Sequence, residues 1–183
     1  MVIRSIRFNI YLLGTALAAL LAGCESTASN SDKQPATLRV HLEVSSLLAE
    51  ANDGVPINRA RPVRVNVEKG PFLDESHVAE ARVLEVTGGF AIQVSFDQQA
   101  SMLLENISAM NPGKRFAIYS EFGAKPRQKR WLAAPLVSRR IATGMLVFTP
   151  DASREEAEQI VGALNRLAIK NGNQAKPKKS KAK

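Results

Sequence analysis

The chain has 183 residues, 45% of them hydrophobic and only 5% aromatic, enough for one domain with a modest core of Val, Ile, Leu and Ala. Its formal charge is +8, but Arg4, Arg7 and six lysines from Lys170 onward carry the excess, and the stretch from Cys24 to Ile169 holds 17 basic and 17 acidic residues. That balance gives no ground for a nucleic-acid partner, and a single cysteine, Cys24, excludes an intramolecular disulfide and a cysteine metal cluster.

Residues 1–23 have the layout of a secretory signal: a basic start at Arg4 and Arg7, then no charge from Phe8 to Gly23. The run is short for a membrane-spanning helix, which needs about 20 apolar residues. It closes on Leu21-Ala22-Gly23-Cys24, which resembles a bacterial lipobox. That resemblance implies cleavage before Cys24 and lipid on its thiol and new amine. The alternative is an ordinary cysteine behind an uncleaved anchor. One acyl chain binds a membrane marginally, whereas several hold it permanently. Glu25, where an Asp would favour the inner membrane, points to the outer membrane, facing the periplasm.

Residues 24–36 are rich in Ser, Asn, Thr and Ala and read as a flexible tether. Leu38, Val40, Leu42 and Val44 alternate with Arg39, His41 and Glu43, the pattern of a half-buried strand with His41 on its polar side. A short helical turn is expected over 45–51, broken by Asn52-Asp53-Gly54 and Pro56. Val63, Val65 and Val67 form the next strand. Arg59, Arg61 and Arg64 beside it read as a charged, protected strand edge, or as an anionic contact.

Lys69-Gly70-Pro71 breaks that strand. A short helix is expected over 74–79 and a strand over 81–86, then a hairpin turn at Thr87-Gly88-Gly89. Phe90, Ile92, Val94 and Phe96 alternate cleanly. Asp97 or Ser101 caps the following helix, whose apolar positions are Leu103, Leu104, Ile107 and Met110. It ends at Asn111-Pro112-Gly113. Strands are expected over 115–121, 131–137 and 145–148, with a polar, basic loop over 123–130. Ser153 with Glu156 forms a capping box, and Ala157, Ile160, Val161, Leu164, Leu167 and Ala168 make the buried stripe of the last helix. Residues 171–183 are too polar and charged to bury anything and read as a disordered tail.

Three stretches carry a family likeness: Gly113-Lys114-Arg115-Phe116-Ala117-Ile118, Ala134-Pro135-Leu136-Val137, and Glu155-Glu156-Ala157. In this order and spacing they resemble the periplasmic P1 head subdomain of SecD, the accessory subunit of the bacterial protein-export channel. The likeness starts near Val63. Gly113, Lys114, Ala117 and Ile118 match the family's Gly-Lys-x-Leu-Ala-Ile strand, with Phe116 at the Leu position. Glu121-Phe122-Gly123 and the basic loop replace the family's Asp-Gly turn. SecD heads lead into transmembrane helices, whereas here Leu167-Ala168-Ile169-Lys170 leads into lysines. The resemblance therefore implies the head without the translocation motor.

Catalytic patterns are weak. His77 stands beside Asp74, Glu75 and Ser76, but sequence neighbours do not make a triad. His41 has no second His at ligand spacing. No phosphate loop or dinucleotide glycine pattern occurs, so no metal, cofactor or catalytic residue is expected. Four cations in the basic loop, Lys125, Arg127, Lys129 and Arg130, lie next to Trp131 and form a candidate contact surface. The other readings are a solvated hairpin tip and a packing Trp.

The expected fold is α+β: a mostly antiparallel sheet with two main helices on one face, in one domain over 37–170, its part from 62 onward head-like. The expected function is a non-catalytic envelope lipoprotein that contacts polypeptides or envelope proteins in connection with protein export, by strand addition at open sheet edges. A second reading is a structural lipoprotein whose lysine tail meets an anionic wall polymer or lipid surface.

Overall fold

The structure, a computed structural model, describes residues 35–45, 54–58 and 62–173. The signal-like residues 1–23, Cys24, Arg59, Arg61, the tail from residue 174 onward and all but the first residue of the turn expected over 45–51 lie outside the described residues. Every described residue belongs to one unit, Ser31–Lys183.

The first strand, β1 (Arg39–Leu42), is followed by a short hairpin of β2 (Val55–Ile57) and β3 (Val63–Val65), then by β4 (Leu73–Asp74). The helix expected over 74–79 is a single 3-10 turn, Glu75–His77, capped by Asp74, whose carboxylate accepts the Ser76 N–H at 2.9 Å. It stops there because Val78 pairs with Phe96 across a bulge, so β5 (Val78–Val86) starts earlier than its alternation announces. Gly88, with φ 84°, turns the chain into β6 (Gly89–Phe96). This positive φ is easy for glycine and strained for most other residues.

Asp97, not Ser101, caps α1 (Gln98–Met110): its carboxylate accepts the Ala100 N–H at 2.8 Å, while the Ser101 hydroxyl donates back to the Phe96 carbonyl. The buried residues of α1 are Ala100, Leu104 and Ser108, with Ile107 half-buried. Leu103 and Met110, expected on the buried stripe, are 38% and 70% exposed. Burial of the small Ala100 and Ser108 brings the backbone of residues 141–144 close to α1. Ser108 accepts the Ile141 N–H at 2.9 Å, and side-chain stripes read from large residues alone miss such a face.

Then come β7 (Phe116–Phe122), β8 (Gln128–Ala133), β9 (Met145–Phe148) and α2 (Arg154–Asn171). The capping box of Ser153 and Glu156 opens α2, and Gly172, in the left-handed conformation, closes it. The buried side of α2 is Ala157, Ile160, Ala163, Leu164 and Ala168.

The class is α+β as expected, but the sheet is divided. A four-stranded antiparallel sheet runs β4-β1-β7-β8 and a three-stranded one runs β5-β6-β9. Both sheets and both helices share one apolar core, with Leu38, Val40, Ile92, Leu104, Phe116, Ile118, Leu132, Ile160 and Leu164 at its centre. The β2–β3 hairpin packs on the other face of the larger sheet. There Ile57 and Val65 cover Ala117, with Trp131 beside them. This second cluster explains why Phe116, Ala117 and Ile118 are all buried in succession. It also corrects the polar placement of His41. That side chain is buried on the hairpin side, opposite Ala117, with Nδ1 2.9 Å from the Glu68 carbonyl.

Two of the family-like stretches bond directly to each other. The Gly113 N–H donates to the Val137 carbonyl at 2.8 Å, the Val137 N–H to Lys114 at 2.8 Å, and the Phe116 N–H to Pro135 at 3.0 Å. They form one structural unit although some twenty residues separate them in sequence.

Candidate functional site

Sheet edges decide where this fold can receive another chain, because an edge strand turns a row of N–H and C=O groups outward. The edge of β5 is held at Ala81 by the last helix. Asn165 of α2 accepts the Ala81 N–H at 2.7 Å and donates to the Ala81 carbonyl at 2.8 Å. An ion pair of Arg154 with Glu85 ties the other end of the same strand to the helix. The edge of β8 meets the chain leading into α2: the Asp151 N–H donates to the Leu132 carbonyl at 2.7 Å. The remaining edge of the larger sheet, β4, is two residues long.

β9 is different. It is the outer strand of the smaller sheet, paired with β6 in the register Ser95↔Met145, Val94↔Leu146, Gln93↔Val147 and Ile92↔Phe148. The Phe96 N–H donates to the Gly144 carbonyl at 3.0 Å, which fixes the alternation. Leu146 and Phe148 turn their backbone groups to β6, and Met145 and Val147 turn theirs outward. Among the described residues nothing bonds those outward groups. The Met145 and Val147 side chains, 39% and 47% exposed, stand on the solvent face, while Leu146 and Phe148 anchor the core.

A hollow of about 520 Å³ lies against this edge, lined by Arg139, Arg140, Ile141, Thr143, Met145 and Val147 among others. Residues 139–144 run back along α1 before entering β9. Arg140 pairs with Glu105, the Ile141 N–H reaches Ser108, and Gly144 packs against Ser101. The hollow thus has an apolar floor, an open backbone edge and two cations, Arg139 and Arg140, in its lining. Its lining includes no carboxylate.

The basic loop is arranged otherwise than its sequence suggests. β8 begins at Gln128, so the loop ends at residue 127 and the expected strand over 131–137 is split, with Leu136 bridging Arg115 separately. Lys125 and Arg127 are exposed at the tip. Lys129 is a strand residue 3.7 Å from the Glu121 carboxylate. Arg130 turns inward, bonding both oxygens of Glu156 at 2.8 and 3.1 Å and lying 5.2 Å from the Phe122 ring centre. Trp131 packs between His41 and Tyr119, each at 5.2 Å between ring centres. A smaller hollow of about 300 Å³ joins Lys129, Arg130 and Trp131 to Pro56, Pro62 and Asp151. Burial, with help from Glu121, pushes the Tyr119 hydroxyl pKa up.

The residues around His77 assemble no triad. Its Nδ1 lies 2.9 Å from Asp97, whose other oxygen caps α1, while the Ser76 hydroxyl bonds Asp74 instead. Among the described residues no cluster of three or more His, Cys, Asp or Glu could hold a metal, and no helix is long and apolar enough to cross a membrane. Sequence reasoning missed β9 as a site. The strand over Met145 to Phe148 was visible, but its place at a sheet edge and the exposure of Met145 and Val147 were not.

No curated protein matches the chain. Two solved structures are similar in fold. One is of a membrane component SecDF that enhances protein export, at 20% identity and a TM-score of 0.51, over 79% of this chain and 65% of that one. The other is SecDF in its super-membrane-facing form, at 21% identity and a TM-score of 0.52, over 79% of this chain and 20% of that one. This chain thus spans less than two thirds of either relative. The family model for the SecDF P1 head subdomain matches residues 45–169, beginning earlier than the likeness read from Val63, and the chain belongs to that family.

Proposed function

We propose that this protein is a non-catalytic envelope lipoprotein whose P1 head contacts extended polypeptides in connection with protein export. The observation that carries the reading is the outward backbone of Met145 and Val147 beside an apolar hollow. Such an edge receives a chain by strand addition: main-chain hydrogen bonds supply affinity and side-chain pockets supply selectivity. Membership of the SecDF P1 head family supports an export context. The lipobox-like Leu21-Ala22-Gly23-Cys24 supports a lipid anchor on Cys24, and Glu25 supports the outer membrane, facing the periplasm.

The test measures binding of the full chain to a reduced, alkylated, permanently unfolded protein and to its folded form. Binding to the unfolded form alone, weakened by Val147→Pro, supports the reading. Proline at Val147 removes only an outward N–H and is tolerated at an edge. Equal binding to both forms, or none to either, contradicts it. Mass spectrometry of the membrane-extracted protein tests the anchor: a lipidated Cys24 terminus is expected, and an intact, unlipidated Met1 terminus contradicts it.

A further inference from the structure

We propose that the hollow of about 300 Å³ beside Trp131 is a sugar site that takes an uncharged pyranose unit of a polysaccharide. It is built from β8, the β2–β3 hairpin and the chain before α2, and shares no lining residue with the hollow at β9. The proposal therefore stands apart from the polypeptide reading. A pyranose presents two chemistries: a flat patch of C–H groups, and a rim of hydroxyls that both donate and accept. The hollow answers both. Trp131 is half-buried, and neither His41 nor Tyr119 stacks flat on it, their rings being inclined at 66° and 59°. The electron-rich face of an indole attracts C–H groups. Its N–H bonds nothing among the described residues and is not buried, so it remains a donor. Pro56 and Pro62, whose rings fix their backbone, add rigid apolar walls.

The polar part of the lining decides the charge of the ligand. Asn58 supplies an amide that donates and accepts, and the Asp151 carboxylate accepts from more than one donor. The Lys129 ammonium, on a side chain 67% exposed, supplies further donors. Arg130 adds little, because its guanidinium is engaged by Glu156, Gln128 and the Asp151 carbonyl. One ammonium and one carboxylate then balance in the lining. A phosphate-bearing chain needs cations and donors, and here it meets Asp151. An apolar side chain would strip water from Asn58 and Asp151 without replacing it. Hydroxyls on an uncharged ring satisfy all three polar groups together.

Trp131 is the one tryptophan of the chain, so selectively excited tryptophan fluorescence of the full chain reads this site directly. The probes are the tetramers of N-acetylglucosamine and of glucose, polygalacturonate, oligothymidylate and a permanently unfolded protein. The tetramers are titrated to about 10 mM, where even a millimolar site fills. A saturable change with a neutral tetramer, undiminished by salt, is the expected result. Asn58→Gly suits the left-handed backbone there, φ 65°, and removes only the amide. It should weaken binding about two- to tenfold, the worth of one hydrogen bond, and Lys129→Ala should act similarly. Trp131→Ala, followed by calorimetry, should abolish binding, and the two surface variants carry the test if it does not fold. No change with either neutral tetramer overturns the inference, as does a change that both Asn58→Gly and Lys129→Ala leave intact. A response to the polyanions alone, fading with salt, assigns the hollow to anions and overturns it. A response to the unfolded protein alone makes the hollow a second polypeptide surface and overturns it too. Each of these failures leaves strand addition at β9 standing.

Discussion

Asn165 and Ala81, 84 residues apart, exchange two hydrogen bonds in which one side chain amide takes the place of a neighbouring strand. The Asn165 oxygen accepts the Ala81 N–H at 2.7 Å and its nitrogen donates to the Ala81 carbonyl at 2.8 Å. The last helix thereby holds β5 at Ala81, whereas no such contact among the described residues meets the outward groups of β9. Asn165→Ala should strand both backbone groups and destabilise the fold by about 1–3 kcal/mol. Urea unfolding measures that loss. The same variant should also aggregate faster than wild type, because it gains a second exposed edge.

The cations near Trp131 should separate into two kinds. Arg130→Ala breaks the paired bonds to Glu156, in which both side chains are largely covered, and should cost about 1.5–3 kcal/mol. Lys129→Ala loses only an exposed contact and should stay within about 0.5 kcal/mol. If Lys125 and Arg127 form a contact surface, reversing both charges should change partner binding without moving the unfolding midpoint.

Gly144 enters β9 with φ 66°, and a Cβ there would lie 2.8 Å from the Ser101 Cβ. Gly144→Ala therefore meets both backbone strain and a clash against α1. It should cost about 1–3 kcal/mol. In the doubly small variant Gly144→Ala, Ser101→Gly the clash is gone but the strain remains, so partial recovery is expected in the same unfolding assay.

Acid should weaken the fold through Asp97. Burial pushes its carboxyl up, but the Ala100 N–H and His77 together outweigh that and hold it below the ordinary carboxylate value. A depressed carboxylate contributes stability that is fully present above its unfolded pKa of about 3.9 and is lost as pH falls through the folded value. The wild type should lose more stability below about pH 4 than Asp97→Ala, so the two curves converge in acid. Parallel curves would contradict the assignment.

Some of this structure was legible in the sequence because its determinants are local. Thr87-Gly88-Gly89 announced the β5–β6 hairpin, Ser153 and Glu156 announced α2, and the short apolar run Met145 to Phe148 announced β9 at its observed bounds. What escaped depends on distant partners. His41 is buried only because a hairpin lies over that face, and α1 buries Ala100 and Ser108 because another backbone runs beside them. The candidate site belongs to the second kind. Met145 and Val147 read only as part of a short apolar strand, and the order β5-β6-β9 is what puts them on an outer strand.

Amide hydrogen exchange of the full chain, with and without a bound extended peptide, tests the central claim most directly. The amides of Met145 and Val147 point outward and should exchange fast in the free protein, then become protected on binding. Ala81, already held by Asn165, should stay unchanged. Protection at Met145 and Val147 alone among the strand residues is the predicted result. Binding that leaves those two amides in fast exchange, or that protects β8 or β5 instead, would contradict the account.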